Sequence, residues 1–459
     1  MEITMPQTDR PNILFIMDDQ HRFDYMGCAG ADFVRTPNID RLAKQGVHFT
    51  QCTTNCPVCA PSRIALASGM QPSRLGCVGN NCFLPRSQPT YYQQLRDYNY
   101  YVGCVGKLDL AKPDGYNGRD GDRPATYMWG FTHPVECEGK MHAGHSKTPQ
   151  GPYNHFLEER GLLGAFVDDY TRRSKEGYHA SCHDSVLPTE AFEDVYIGQR
   201  SVEWIENIPG DFPWHLFVSF VGPHDPFDPP AEYGEKYRDA EMPPATPANL
   251  PGKPAYLKDR IKDMTPEKIA ETRRQYCAAI EVIDDQIGEM LAAVERRGMA
   301  DNTYVIFSSD HGEMLGDHGL YTKSVPYEAS VHVPLIVAGP GIEGGRVSDA
   351  LVELIDMNPT ICDLAGVPPL SDIDARSIGA VLRGEAEEHR TETVSGIQNF
   401  RCIRTREYNL VENYNDVTEL YDLIADPTEE HNIAEQEPEV RRELSRRLSA
   451  RYLEGTWYR

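Results

Sequence analysis

Runs of apolar positions punctuate the chain, and most of them end abruptly in polar chemistry. "NILFIMDD" ends at Asp18 and Asp19, "YYVGCVGKLD" at Lys107 and Asp109, "HLFVSFVGPHD" at His224 and Asp225, and "TYVIFSSDHGE" at Asp310 and His311. A fifth run, "VPLIVAGPG", enters a Gly/Pro turn. Unbroken Val/Ile/Phe runs, rather than alternating ones, suit parallel strands covered on both faces. Helical patterns alternate with them. In "CAAIEVIDDQIGEMLAAVERRG", Ile280, Ile283, Ile287, Met290, Leu291 and Val294 share one face. Arg296 and Arg297 suit the C-terminal dipole, and Gly298 suits the cap. The run ending at Asp310 follows at once, so this is an αβ unit of an α/β fold. Ligands of open α/β sheets bind beyond the carboxyl ends of the strands. Four runs that deliver Asp, Lys and His to that edge predict one crevice there.

Two regions break the rhythm. From about 112 to 185 the chain is rich in Gly, Pro and His, with His133, His142, His145, His155, His179 and His183. The composition predicts an irregular surface excursion, and its length a wall of the crevice. No histidine pair has zinc spacing. After about Leu382, "FRCIRTREYNLVENY" and "ELYDLIADPTEEHNIA" read as short antiparallel strands and a turn, and "PEVRRELSRRLSARYLEG" as a terminal helix. The expected division is a catalytic domain over 1–382 and a small α+β domain over 383–459.

At 459 residues the chain exceeds one small core. A formal charge of -25 opposes the counterion release that drives nucleic-acid binding, so no nucleic-acid partner is expected. No segment approaches the roughly 20 apolar residues of a membrane helix. The opening "MEITMPQTDRPN" has neither a basic n-region nor an apolar h-region. Twelve cysteines without a secretory signal read as free thiols in a reducing compartment, which predicts a cytoplasmic protein. The sequence fixes no oligomeric state.

Cys52, Cys56 and Cys59 are spaced C-x3-C-x2-C. That spacing can hold an iron–sulfur cluster, although Pro57 and Pro61 crowd it. A zinc site lacks an identifiable fourth ligand, and the compartment disfavours a disulfide. A further reading lies downstream. Pro61 suits the first turn of a helix, "IALAS" continues it, and Gly69 stops it. Cys59 would then sit at a helix N-terminus beside Arg63, where free N–H groups and the dipole favour an anion or a low-pKa thiolate.

"CAPSRIALASG" resembles the C-x-P-S-R signature of the type I sulfatases, in the alkaline phosphatase superfamily. Further segments resemble that family in order along the chain: "RPNILFIMDDQ", "TPNIDRLAKQGVHFTQC", "VGKLD", "PHDPF", "SSDHGEMLGDHGLYTK" and "ELYDLIADPTEEHNIA". The resemblance implies a large mixed, mostly parallel sheet sandwiched by helices, with a small C-terminal domain. It implies that Cys59 is oxidised to formylglycine by a formylglycine-generating or anaerobic sulfatase-maturating enzyme. Cys52 and Cys56 then become buried small hydrophobes.

The remaining roles follow from the resemblance position by position. Asp18, Asp19, Asp310 and His311 would hold one divalent metal that also binds the modified residue 59. Hard carboxylates favour Ca2+, and the imidazole leaves Mn2+ open. Arg63 would fix residue 59, Lys107 and Lys323 would bind sulfate oxygens, and His224 would protonate the leaving alcohol. The sequence departs from the family at Asp109, where a histidine is usual, and at His332, where many members have arginine. Asp109 is read as the base that resets the nucleophile, the alternative being a side chain that turns away and caps the following turn. The expected activity is hydrolysis of a small sulfate ester, such as a sulfated sugar. The alternative is a phosphonate or phosphate ester hydrolase on the same scaffold.

Overall fold

The computed structural model describes residues 10–454. The segment 1–9, on which most of the leader reading rests, and residues 455–459 lie outside the described residues. Among the described residues, fourteen strands form three sheets. The large sheet contains β1 (Asn12–Asp18), β2 (Gly46–Phe49), β4 (Tyr101–Gly106), β5 (His133–Glu136), β6 (Trp214–Ser219), β7 (Thr303–Ser309), β8 (Leu335–Ala338) and β9 (Arg346–Ser348). Its spatial order is β5-β4-β6-β1-β7-β8-β2-β9. Short strands β3 (Cys52–Thr53) and β10 (Val352–Glu353) pair beside it. A four-stranded meander, β11 (Thr393–Ile397), β12 (Phe400–Arg404), β13 (Tyr408–Asn413) and β14 (Thr418–Asp422), follows.

Alternation along β1 explains the layering. Ile13, Phe15 and Met17 enter one apolar layer, and Leu14 and Ile16 the other. Both faces are therefore covered, as the unbroken runs require. The long helix Pro266–Arg296 lies on the second face, with Ile283, Ile287, Met290 and Val294 in that layer. The register then aligns the chemistry. Asp18 pairs with Ser309, Met17 with Ser219, and Gly106 with Ser219. Four strands thus end level, and the residues that follow them share one edge.

Three expectations are corrected. The run "VPLIVAGPG" forms β8, which is antiparallel to β7. The loop 310–334 turns back across the sheet edge without a crossover helix, and a parallel return needs one. The 112–185 stretch is not irregular throughout: it contains helices Pro152–Glu159 and Leu163–Glu176. Phe166, Val167 and Tyr170 bury one face of the second helix, and the Gly and Pro residues that suggested an irregular excursion bracket both helices. Nor are all twelve cysteines thiols. Cys77 and Cys82, with Cα atoms 5.6 Å apart, form a disulfide, while Cys52, Cys56 and Cys59 are free. The cysteine count alone therefore does not carry a cytoplasmic assignment. No helix among the described residues is long and apolar enough to cross a membrane.

The meander packs Val394, Ile403, Leu410 and Leu420 against Leu444 and Leu448 of the terminal helix Pro438–Glu454. It is also tied to the rest of the protein. Gly396 N–H donates to the Asn55 carbonyl (3.0 Å), and Arg404 bridges Glu429 (3.0 Å) and Glu328.

Candidate active site

Cys59 opens the helix Cys59–Ser68, with Val58 extended before it and Gly69 left-handed after it. The helix start is anchored from below. Ser62 Oγ and Thr54 Oγ1 donate to the Asp310 carbonyl at 2.8 and 2.7 Å. The Ala60 N–H, free at a helix start, donates to Asn80 Oδ1 (3.2 Å). The thiol lies 3.2 Å from His311 Nε2 and 3.9 Å from Asp19 Oδ1. Burial raises its pKa, but Lys107, Lys323, Lys112 and His311 outweigh burial and bring the thiol well below its ordinary value.

Arg63, one turn on, ties the four strand ends together. Its Nε donates to Asp310 Oδ2 (2.8 Å) and its Nη1 to the Lys107 carbonyl (2.8 Å) and Ser219 Oγ (2.5 Å). Nη2 lies 3.5 Å from Asp19 Oδ2. It makes no hydrogen bond to Cys59 Sγ; it holds the carboxylates around that residue. Gly106 lets β4 deliver Lys107. Its φ is +106°, and a Cβ there would meet the Ser219 carbonyl at 1.9 Å.

Asp19, Cys59, Asp310 and His311 place one ligand atom each within 4.8 Å of one another, and all are buried. His311 Nδ1 lies 3.0 Å from the Gly312 carbonyl, which directs Nε2 toward the cluster. Asp18 stands slightly apart. Its Oδ2 meets His21 Nδ1 at 2.6 Å, while Oδ1 is buried without a hydrogen-bond partner. Burial, together with Asp310 and Asp19, raises its pKa despite His21. Hard carboxylate oxygens, one imidazole and an unpartnered buried oxygen fit a divalent cation.

The other expected residues surround the thiol. Lys107 pairs with Asp19 and, at 3.2 Å, with Asp109; Lys112 also pairs with Asp109. The Asp109 side chain lines the same cavity as Cys59, about 330 Å³ in volume. Lys323 Nζ binds Gln20 Oε1 and lies 2.6 Å from His224 Nε2. His224 Nδ1 lies 2.6 Å from the Asp225 carbonyl. His332 stacks on Phe23 (4.0 Å between centroids) and is not among the residues lining the cavity.

Sequence reasoning missed several neighbours. Gln20 directs Lys323 and donates to Glu313 Oε2 (2.5 Å) and Asp225 Oδ1 (3.3 Å). Its only signal was its place after the paired aspartates. Asn80 carried none. Of the six loop histidines, only His142 and His145 line the cavity. His155 lines a separate surface groove, and His183 pairs with Glu176.

The Sulfatase family model matches residues 11–367, well over half of the chain, and a model described as N-sulphoglucosamine sulphohydrolase, C-terminal, matches residues 316–454. The chain belongs to the sulfatase family. The family and its sulfatase relatives make this chain a sulfuric ester hydrolase. A choline-sulfatase of Rhizobium meliloti is 31% identical, covering 93% of this sulfatase and 83% of the relative. A phosphonate monoester hydrolase of Agrobacterium radiobacter superposes with a TM-score of 0.82 at 24% identity, covering 97% and 96% of the two chains. A protein solved with its substrate D-glucosamine-2-N,6-O-disulfate superposes with a TM-score of 0.77 at 23% identity, covering 97% and 99%. At these identities the two structures share the fold, and nothing narrower follows from them.

Proposed function

We propose that this sulfatase hydrolyses the sulfate ester of a small polar alcohol, such as a sulfated sugar, with formylglycine made from Cys59 as nucleophile. The observation that carries the reading is the position of Cys59: at the head of a buried helix, 3.2 Å from His311 and beside Asp19, with Lys107, Lys323 and His224 close by. A cation held by Asp18, Asp19, Asp310 and His311, Ca2+ by its hard donors or Mn2+, would supply positive charge beside residue 59.

The chain's own residues account for the rest. Lys107 and Lys323 neutralise sulfuryl oxygens that gain charge as the ester breaks. In the free site Lys323 faces His224 Nε2. Sulfate draws the ammonium away, Nε2 takes up a proton from solvent, and the imidazolium, with Nδ1–H held by the Asp225 carbonyl, gives that proton to the leaving alcohol. Asp109 is the proposed proton acceptor when residue 59 is reset. Burial raises its pKa, but Lys107 and Lys112 outweigh burial and lower it, so the carboxylate is ionised and only weakly basic.

Cys59→Ala should remain folded and lose at least about a thousandfold in kcat/KM. Mass spectrometry of protein co-expressed with a maturating enzyme should find an aldehyde at residue 59. Full turnover by Cys59→Ala would end the proposal. Asp109→Asn should release one equivalent of alcohol and stall with sulfate on residue 59, visible in the intact mass. Normal turnover without an adduct would remove Asp109 from the reset step.

A further inference from the structure

We propose that the mouth of the Cys59 cavity receives a second acidic group on the alcohol half of the substrate. The preferred esters then carry a carboxylate or a further sulfate besides the one cleaved. This inference rests on the sulfatase reading above.

The mouth is formed by Lys112, three residues after Asp109, and by His142 and His145. Both histidine side chains are exposed, and neither ring has a hydrogen-bond partner among the described residues. The Lys112 side chain is 24% exposed and pairs with Asp109, which also takes Lys107. Of the two acids that line the cavity, Asp19 pairs with Lys107 and Asp109 is shared by Lys107 and Lys112, while two imidazoles and part of an ammonium are unused among the described residues.

Their support is rigid. Beside His142, Lys140 is buried against Asp228 at 2.7 Å. Asn154 Nδ2 donates to the Ala143 carbonyl (3.0 Å) and so fixes the single turn Lys140–Ala143. Glu138, just before it, accepts the N–H groups of Tyr153 (3.2 Å) and Asn154 (3.1 Å) at the start of the next helix. Gly144 approaches Tyr170 so closely that a Cβ would meet the ring at 2.0 Å. Nitrogen donors on such a frame bind with little ordering cost.

The lining also argues against other alcohols. It contains no Phe, Tyr or Trp, and Met141 and Val221 are its only long apolar side chains. A quaternary ammonium would find no aromatic box and would face Lys112. An aryl group would find no Phe, Tyr or Trp ring to stack on. An anion would form charge-assisted hydrogen bonds with donors that now lack partners.

The test compares para-carboxyphenyl sulfate with para-carbamoylphenyl sulfate, which differ by one charge at nearly constant shape, on matured, metal-loaded enzyme. The carboxylate should be preferred in kcat/KM by about tenfold or more, mainly through KM. In His142→Ala/His145→Ala, which removes both ring donors, the preference should fall at least about threefold. A wild-type ratio at or below unity, or an undiminished ratio in the double variant, overturns the proposal. The same pair, as methylphosphonate monoesters, runs in parallel. Cleavage of the phosphonates but of neither sulfate overturns the sulfatase reading, and the phosphonate ratio then decides the second-anion site by the same criteria. Calorimetric titration of metal-loaded Cys59→Ala with the two sulfates gives the ratio from binding alone, so the site is decided even where no ester turns over.

Discussion

Two buried ion clusters, each built on an arginine, flank the segment that carries Cys59, and they are wired in opposite ways. In the first, Asp356 accepts Arg390 Nε (2.7 Å) and Nη2 (2.5 Å), and the N–H groups of Arg376 (2.8 Å) and Glu353 (3.0 Å); His389 Nε2 lies at 3.1 Å. Glu353 accepts Asn55 (3.1 Å), Gln71 (3.0 Å), Val394 N–H (3.0 Å) and Arg451 (2.7 Å). Two acids meet two arginines, and every carboxylate oxygen is used. Through Asn55 and Gln71 the cluster clamps the chain on both sides of the nucleophile helix.

In the second cluster, Arg63 and Lys107 face Asp18, Asp19 and Asp310. Asp18 Oδ1 has no hydrogen-bond partner there. Buried charge without compensation is costly. The first, saturated cluster leaves no carboxylate oxygen unpaired, only Arg390 Nη1 among its charged groups, so it calls for no cation and supports the fold. The second, unsaturated one leaves a buried carboxylate oxygen of Asp18 unpartnered close to the nucleophile, and a bound cation would pair with it.

The largest effect that sharpens this contrast comes from Asp18→Asn. The substitution keeps the shape and removes one charge from the unsaturated cluster. Metal content should fall, and kcat/KM should drop by about a hundredfold or more, while the chelator-treated protein loses no stability. Elemental analysis and thermal unfolding check the two halves. Full metal occupancy in Asp18→Asn would break the comparison at its centre.

Asp356→Asn should do the reverse. Removing one partner of a buried pair costs about 3–5 kcal/mol, because Arg390 is left uncompensated. Denaturant unfolding should show that loss, with kcat per folded molecule nearly unchanged. A selective loss of kcat at unaltered stability would give the saturated cluster a catalytic role it lacks in this account.

Sequence reasoning read these two clusters unequally, for a physical reason. Asp18, Asp19, Asp310 and His311 end long apolar runs, and strand ends in a parallel sheet must meet at one edge. Their neighbourhood was therefore legible from periodicity, and the family resemblance added Cys59, Arg63 and Lys323. Glu353, Asp356 and Arg390 lie in short or irregular segments whose partners are 282–298 positions away (Asn55 and Gln71) or close in sequence but unpatterned. Nothing local marks them. Gln20 and Asn80 were missed likewise, because a side chain that holds another group by hydrogen bonds has no period. The loop helices at Pro152–Glu159 and Leu163–Glu176 were hidden by the Gly and Pro residues at their ends. The antiparallel β8 was hidden because an apolar run does not encode direction.

The smallest expected effect is a pair of opposite pH responses. Burial disfavours the Asp356 carboxylate, but Arg390 and His389 outweigh burial and hold its pKa well below the ordinary 3.8. The unfolded chain takes up this proton first. The stabilisation from Asp356 is therefore complete above the ordinary value and is lost as the pH falls below it. Asp18 is shifted the other way, upward, by burial with Asp310 and Asp19 against His21. Its contribution in metal-free protein is present below the ordinary value and is lost as the pH rises through the raised one. Thermal unfolding of chelator-treated protein between about pH 3 and 7 should show both slopes. The stability gap between wild type and Asp356→Asn should widen with rising pH, whereas Asp18→Asn should gain on wild type. Slopes of the same sign would mean that the two clusters do not differ in saturation. Adding the divalent cation back should reverse the Asp18 slope alone, because a bound cation favours the ionised carboxylate that burial otherwise opposes.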